Sequence, residues 1–146
     1  MTQDITNTVQ KFFAAIDKRD WDGAESLMTN PFHLDYSSFG APEGADLVPI
    51  DILTGWKAML PGFDQTHHQL GPLDITQDGS SATVQAYVTA THQITEAEGG
   101  ELWTVYGSYV LTLVNDGGWK LSGNTFTFKF LQGNANLPAM AQERAA

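Results

Sequence analysis

The chain has 146 residues, 42% hydrophobic and 16% charged, which is the size and balance of one globular domain and excludes a disordered chain. Its formal net charge of −10, with seven Lys and Arg spread singly, argues against nucleic acid and acidic membrane surfaces, which are held through clustered cations. The absence of cysteine rules out disulfides and thiolate metal sites, and a cytoplasmic setting is expected.

The opening MTQDITNTVQKFF has neither the basic stretch nor the apolar core of a secretory signal. Residues 4–18 instead carry Ile5, Val9, Phe12, Phe13 and Ile16 at helical spacing and predict an amphipathic helix. A second short helix is expected over 20–28, with Asp20 and Asp22 as caps and Pro31 ending it. Residues 32–39 read as a short extended stretch and APEGADLVP as loop. Residues 50–60 predict a third helix, stopped by Pro61-Gly62. Four strand-like runs follow, over 66–76, 81–95, 101–114 and 118–131, separated by turns rich in glycine and aspartate. No apolar run nears the roughly 20 residues of a membrane span. A single domain is drawn over 1–133, with 134–146 as a tail holding at most a final helical turn. Helices followed by an antiparallel meander give an α+β class: about three helices packed in a curved, mainly antiparallel sheet, forming a cone around a pocket.

Strand periodicity assigns faces. In the run 81–95, Ala82, Val84, Ala86, Val88, Ala90, His92 and Ile94 share one parity, so His92 points inward. The plain alternative is a core histidine satisfied by one hydrogen bond. His67 and His68 are neighbours and must face opposite ways; Leu70 shares parity with His68, which turns His68 in and His67 out. The small residues Ala82, Ala86 and Ala90 leave room beneath it. Asp17 follows Phe13 by four residues and extends the apolar line of the first helix, though a solvated aspartate in DKRDWD is the ordinary reading. Either Asp35 or Tyr36 faces in, and His33 with Asp35 is read as a surface pair without a role. The run 101–114 has bulk on both faces, which predicts a homo-oligomer, dimer or trimer, packed through the sheet. Adjacent strand histidines do not chelate one ion, and no H-x-H or H-x-x-x-H occurs, so no metal is expected.

These residues, in this order, resemble the SnoaL-like branch of the nuclear transport factor 2-like (NTF2-like) superfamily, and within it scytalone dehydratase. The resemblance covers roughly residues 8–130. DKRDW, FHLDYSSFG, QTHHQLG and ATHQ resemble that enzyme's active-site segments, and DGGWKLSG a turn common in the superfamily. The resemblance implies catalytic roles for Asp17, His68 and His92, and for Tyr36 as the group that polarises a substrate carbonyl through water. The family's other active-site tyrosine corresponds to Ile16 here, and its polar Ser and Asn fall on Tyr106 and Ser108, departures that bear on the substrate. Tyr106, Ser108, Ile16 and Phe126 are thereby expected to line the substrate pocket.

The function expected from the resemblance is a cofactor-independent lyase that eliminates water beside a carbonyl or enol of a small, cyclic, hydrophobic substrate. Histidine, with its ordinary pKa near about 6.5, suits α-proton removal, and a buried aspartate would fix its tautomer. Three alternatives stand beside it: a ketosteroid-isomerase-like or polyketide-cyclase-like proton shuttle, a dehydrochlorinase sharing the Asp–His pair, and a non-catalytic small-molecule-binding protein on the same cone.

Overall fold

The computed structural model describes residues 2–146. Helix α1 (Thr2–Asp17) buries Ile5, Val9, Phe12, Phe13 and Ile16, the stripe that its sequence spacing lays on one face. Arg19 then takes a left-handed φ of 61°, which ends the helix and turns the chain. Helix α2 (Trp21–Ser26) is capped by Asp20, whose Oδ1 accepts from the Gly23 N–H at 3.0 Å. Asp22 is not a second cap; it sits in the first turn, where a carboxylate complements the helix dipole.

Strand β1 (Met28–Asp35) begins earlier than the sequence predicts and runs through Pro31, which lies behind a cis bond from Asn30 and does not terminate the helix. Tyr36 leads into a 3₁₀ turn at Ser37–Phe39. The segment read as loop contains a short edge strand, β2 (Ala45–Leu47). Helix α3 (Pro49–Lys57) follows, and then a 3₁₀ turn at Leu60–Gly62. The single strand expected over 66–76 is two, β3 (Gln65–Leu70) and β4 (Asp74–Asp78). Gly71-Pro72 separates them, because proline supplies no ladder N–H. The three long strands are β5 (Ser81–Gln93), β6 (Leu102–Asn115) and β7 (Trp119–Gly133). Residues expected as tail form α4 (Leu137–Ala145), a fourth helix longer than the single turn predicted.

The seven strands make one curved, unclosed sheet in the order β2-β1-β7-β6-β5-β3, with β4 also pairing with β5. All pairings are antiparallel except β1 with β7, which is parallel. The concave face wraps α1. Phe12, Ile5 and Val9 of the helix are completely buried together with Val84, Leu111 and Leu121 of the sheet. Each such side chain contributes about 1.5–3 kcal/mol by leaving water. Gly107 of β6 belongs to this inner wall: the Phe126 ring and the Thr127 carbonyl occupy the space a Cβ would need. Helix α4 packs against the 60–62 turn through buried Leu137 and Ala141, at a Gly62 with no room for a side chain, and Arg144 pairs with Asp64 at 2.9 Å. On the convex face, Tyr87, Leu102, Val110 and Phe130 are exposed, and Lys129 lies 3.8 Å over the Tyr87 ring. No helix among the described residues is long and apolar enough to cross a membrane.

Candidate active site

Between α1 and the concave sheet lies a cavity of about 210 Å³. Its walls are largely aromatic, with Phe12, Phe13, Phe39, Trp56, Trp103 and Phe126 among them. An apolar cavity of ~150 Å³ already accepts benzene, so this one has room for a substituted ring. None of the residues lining it is Lys, Arg, Asp or Glu.

At one end Asp17, the last residue of α1, meets β3. Its Oδ1 lies 2.7 Å from His68 Nδ1 and accepts from Thr66 Oγ1 at 3.0 Å, while its Oδ2 accepts the His68 backbone N–H at 2.9 Å. The two side chains are 20% and 12% exposed. Burial raises the Asp17 pKa, but the hydrogen bonds and charge of His68, with the Thr66 hydroxyl, outweigh it, and the carboxyl ends below its ordinary value. An ionised carboxylate only accepts, so the His68 Nδ1 carries the shared proton and Nε2 is left for the cavity. Thr66, His68 and Leu70 face inward along β3 and His67 is exposed, as the strand alternation requires. Ala90 of β5 lies opposite His68 in the ladder and also lines the cavity, so no bulky neighbour fills the space before the imidazole.

His92, 5% exposed, is clasped by Phe63 and Trp103, with ring centres 4.8 and 4.6 Å away, and its ring centre is 6.2 Å from that of His68. Its Nδ1 is 3.1 Å from the Trp103 carbonyl oxygen, so this nitrogen holds the proton and Nε2 is the free acceptor. Burial, and then the charge of His68, lower its pKa from 6.5 to about 4.

At the other end Tyr36, Tyr109 and Asn124 come together. The Tyr36 and Tyr109 hydroxyls are 3.5 Å apart, and Asn124 Nδ2 donates to the Tyr36 oxygen at 3.4 Å. Burial pushes both phenols above their ordinary pKa, Tyr109 well above it. Asn124 is 2% exposed, and its Oδ1 is buried with no hydrogen-bond partner among the described residues. Phe13 joins the two ends: its ring stacks on Tyr109 at 5.1 Å and lies 5.8 Å from His68.

The residues expected at the site therefore divide. Ile16, Tyr36, His68, His92 and Phe126 line the cavity, and Asp17 stands directly behind His68. Tyr106 and Ser108 do not line it. They lie on the convex side of β6, where Tyr106 stacks on Phe130 at 4.3 Å and bonds Gln132 at 2.9 Å. Placing the family's polar pair one position away reverses the face of a strand residue, and the hydroxyl that enters the cavity is Tyr109. Tyr109 shares parity with Trp103, Val105 and Leu111, which was the available signal. Asn124 likewise alternates with Phe126 in NTFTF. Thr66 shares the parity of His68, but its bond to Asp17, like the one it accepts from Arg19, depends on α1 meeting β3 and carried no signal. His33 pairs with Asp46 at 2.8 Å and not with Asp35, which instead binds Ser37 through its backbone and hydroxyl.

Solved structures share this architecture. The Kfla4162 protein from Kribbella flavida superposes with a TM-score of 0.86 at 25% identity, covering 94% of this chain and 95% of that one. A provisionally assigned scytalone dehydratase from Novosphingobium aromaticivorans gives 0.75 at 20% identity over 90% and 86%. A type 2 hexachlorocyclohexane dehydrochlorinase (LinA) gives 0.69 at 14% identity over 92% and 94%. No curated protein matches in sequence. The profile of the SnoaL-like domain matches residues 2–124, nearly the whole chain, and with the NTF2-like architecture of its structural neighbours it establishes that the chain belongs to the SnoaL-like family.

Proposed function

We propose that the protein is a cofactor-independent lyase that removes water beside a carbonyl or enol of a small, uncharged, cyclic substrate. The observation that carries this reading is the 2.7 Å bond between Asp17 and His68 Nδ1 at the wall of an aromatic cavity free of charged lining side chains. In the proposed reaction His68 Nε2 takes the α-proton, and Asp17 stabilises the imidazolium that forms. The Tyr36 and Tyr109 hydroxyls donate to the substrate oxygen as negative charge develops on it. The β-hydroxyl then leaves with the proton returned from His68 Nε2, so one proton is taken, one is given, and water departs. His92 is held neutral by its burial and offers Nε2 as an acceptor, which orients the leaving hydroxyl with its lone pairs toward His68.

A second reading has a specific observation in its favour. With His92 neutral, the site has one base and no separate acid, which also suffices for an isomerase- or cyclase-like proton shuttle with no leaving group. Incubation with a panel of cyclic β-hydroxyketones and hydroxylated bicyclic ketones, followed by mass spectrometry, separates the two: loss of water supports the lyase, and rearrangement at constant mass replaces it by the shuttle. His68→Ala is expected to lower turnover at least ~100-fold with substrate binding retained. Near-normal turnover in that variant would refute the assignment of the base under either reading.

A further inference from the structure

Arg19 enters none of the steps above, yet its side chain is the most fully engaged group near the acid–base pair. Nη1 donates to the Asp17 main-chain carbonyl at 2.8 Å and to Thr66 Oγ1 at 2.9 Å, and Nη2 donates to the carbonyls of Leu60 and Phe63 at 2.9 and 3.1 Å. One guanidinium thus ties the end of α1, the start of β3 and the 60–63 turn together. The residue does this from a left-handed backbone, a conformation that costs a non-glycine residue about 1–2 kcal/mol.

The chemistry of the groups gives this arrangement a direction. A guanidinium can only donate, so the Thr66 oxygen is an acceptor toward Arg19. A carboxylate can only accept, so the hydroxyl proton of Thr66, 3.0 Å from Asp17 Oδ1, points at Asp17. We infer that Arg19 is a positioning residue that sets the direction of the Thr66 hydroxyl, and through it holds Asp17 as a carboxylate accepting three hydrogen bonds. Those three come from Thr66 and from the backbone and ring of His68. The consequence is chemical as well as geometric. Each donor draws charge from the carboxylate and makes it a poorer proton acceptor. A proton gathered by His68 therefore stays on the imidazole, where it can be returned to a leaving group, and does not pass to Asp17. The inference concerns the pair used in the proposed reaction and takes its catalytic meaning from that reading. The polarity of the hydroxyl stands on the geometry alone.

The ionisable groups around Asp17 are His68 from β3, Arg19 from the turn after α1, His92 from β5 and Tyr109 from β6. The test is the titration of the Asp17 side-chain carboxyl followed by carbon-13 NMR on the full chain without substrate, its signal assigned through Asp17→Asn. Thr66→Val removes the hydroxyl at nearly constant shape and is expected to raise the Asp17 midpoint by about half a unit to one unit. Thr66→Ser keeps the donor and is expected to leave the midpoint unchanged. Arg19→Lys keeps the positive charge but not the fork that engages Thr66, and is expected to raise the midpoint as well. An unchanged midpoint in Thr66→Val, or a shift there with none in Arg19→Lys, would overturn the inference. Because no turnover is measured, that failure is distinct from failure of the lyase reading.

Discussion

The two ends of the cavity differ in how complete they are. At the Asp17–His68 end, contacts run from 2.7 to 3.0 Å and the carboxylate accepts three hydrogen bonds. At the Tyr36–Tyr109–Asn124 end, contacts are 3.4–3.5 Å and the buried Asn124 Oδ1 has no hydrogen-bond partner among the described residues. Under the proposed reaction, the finished end is the one that must hold one proton in one place before substrate arrives. The other end is loose: the Tyr36 hydroxyl donates to Tyr109 only at 3.5 Å, and the Tyr109 proton is left for a ligand oxygen. Rigid preorganisation and spare capacity sit on opposite sides of one phenyl ring, that of Phe13.

The comparison is broken most severely at its finished end. Asp17→Asn leaves a side chain of the same shape whose amide can turn a donor toward His68 Nδ1, favouring the wrong tautomer. It is expected to reduce kcat about 10²–10⁴-fold with a smaller change in KM, read by steady-state kinetics on whichever substrate the panel identifies. At the loose end, Tyr109→Phe removes one of two hydroxyls and is expected to cost about 10-fold in kcat/KM, and Tyr36→Phe a similar amount. Equal losses from both ends would erase the distinction between a finished and an unfinished pole. Tyr106→Phe, on the convex face three residues from Tyr109, is expected to change turnover less than ~2-fold.

A further test concerns His92, which lies beside the finished end but is held by desolvation more than by partners. Its folded pKa of about 4 is below the ~6.5 of an unfolded histidine, so the unfolded chain binds the proton first as pH falls. The stability this contributes is complete above about pH 6.5 and is lost as pH drops toward 4, in total about 3 kcal/mol. Urea unfolding from pH 7 to 4 is expected to show a steeper loss in the natural chain than in His92→Asn. Parallel curves would mean that folded His92 titrates no lower than an unfolded histidine, and the desolvated, firmly neutral acceptor argued for it would fall.

The parts legible in the sequence were those with a period. The stripe Ile5-Val9-Phe12-Ile16 specified α1, and alternation placed His92, and His68 over His67, on the concave side. Boundaries set by single residues were less legible. Pro31 reads as a helix stop, yet an extended strand carries it, and Ala45–Leu47 is too short and exposed to show a pattern. The resemblance puts Tyr106 and Ser108 at the pocket, whereas strand parity turns them away and turns Tyr109 in. Thr66 and Arg19 escaped because their partners lie 49 and 41–47 residues away along the chain, and no local spacing encodes that meeting.

Gly107 makes the fit of the cavity wall a property of a missing atom. The Phe126 ring and the Thr127 carbonyl both rest on the bare backbone there, so a single methyl would have to displace a lining ring and the backbone of the neighbouring strand together. The shape of the cavity is thus set from behind its wall: Gly107→Ala would disturb that wall while every polar side chain on its surface kept its identity.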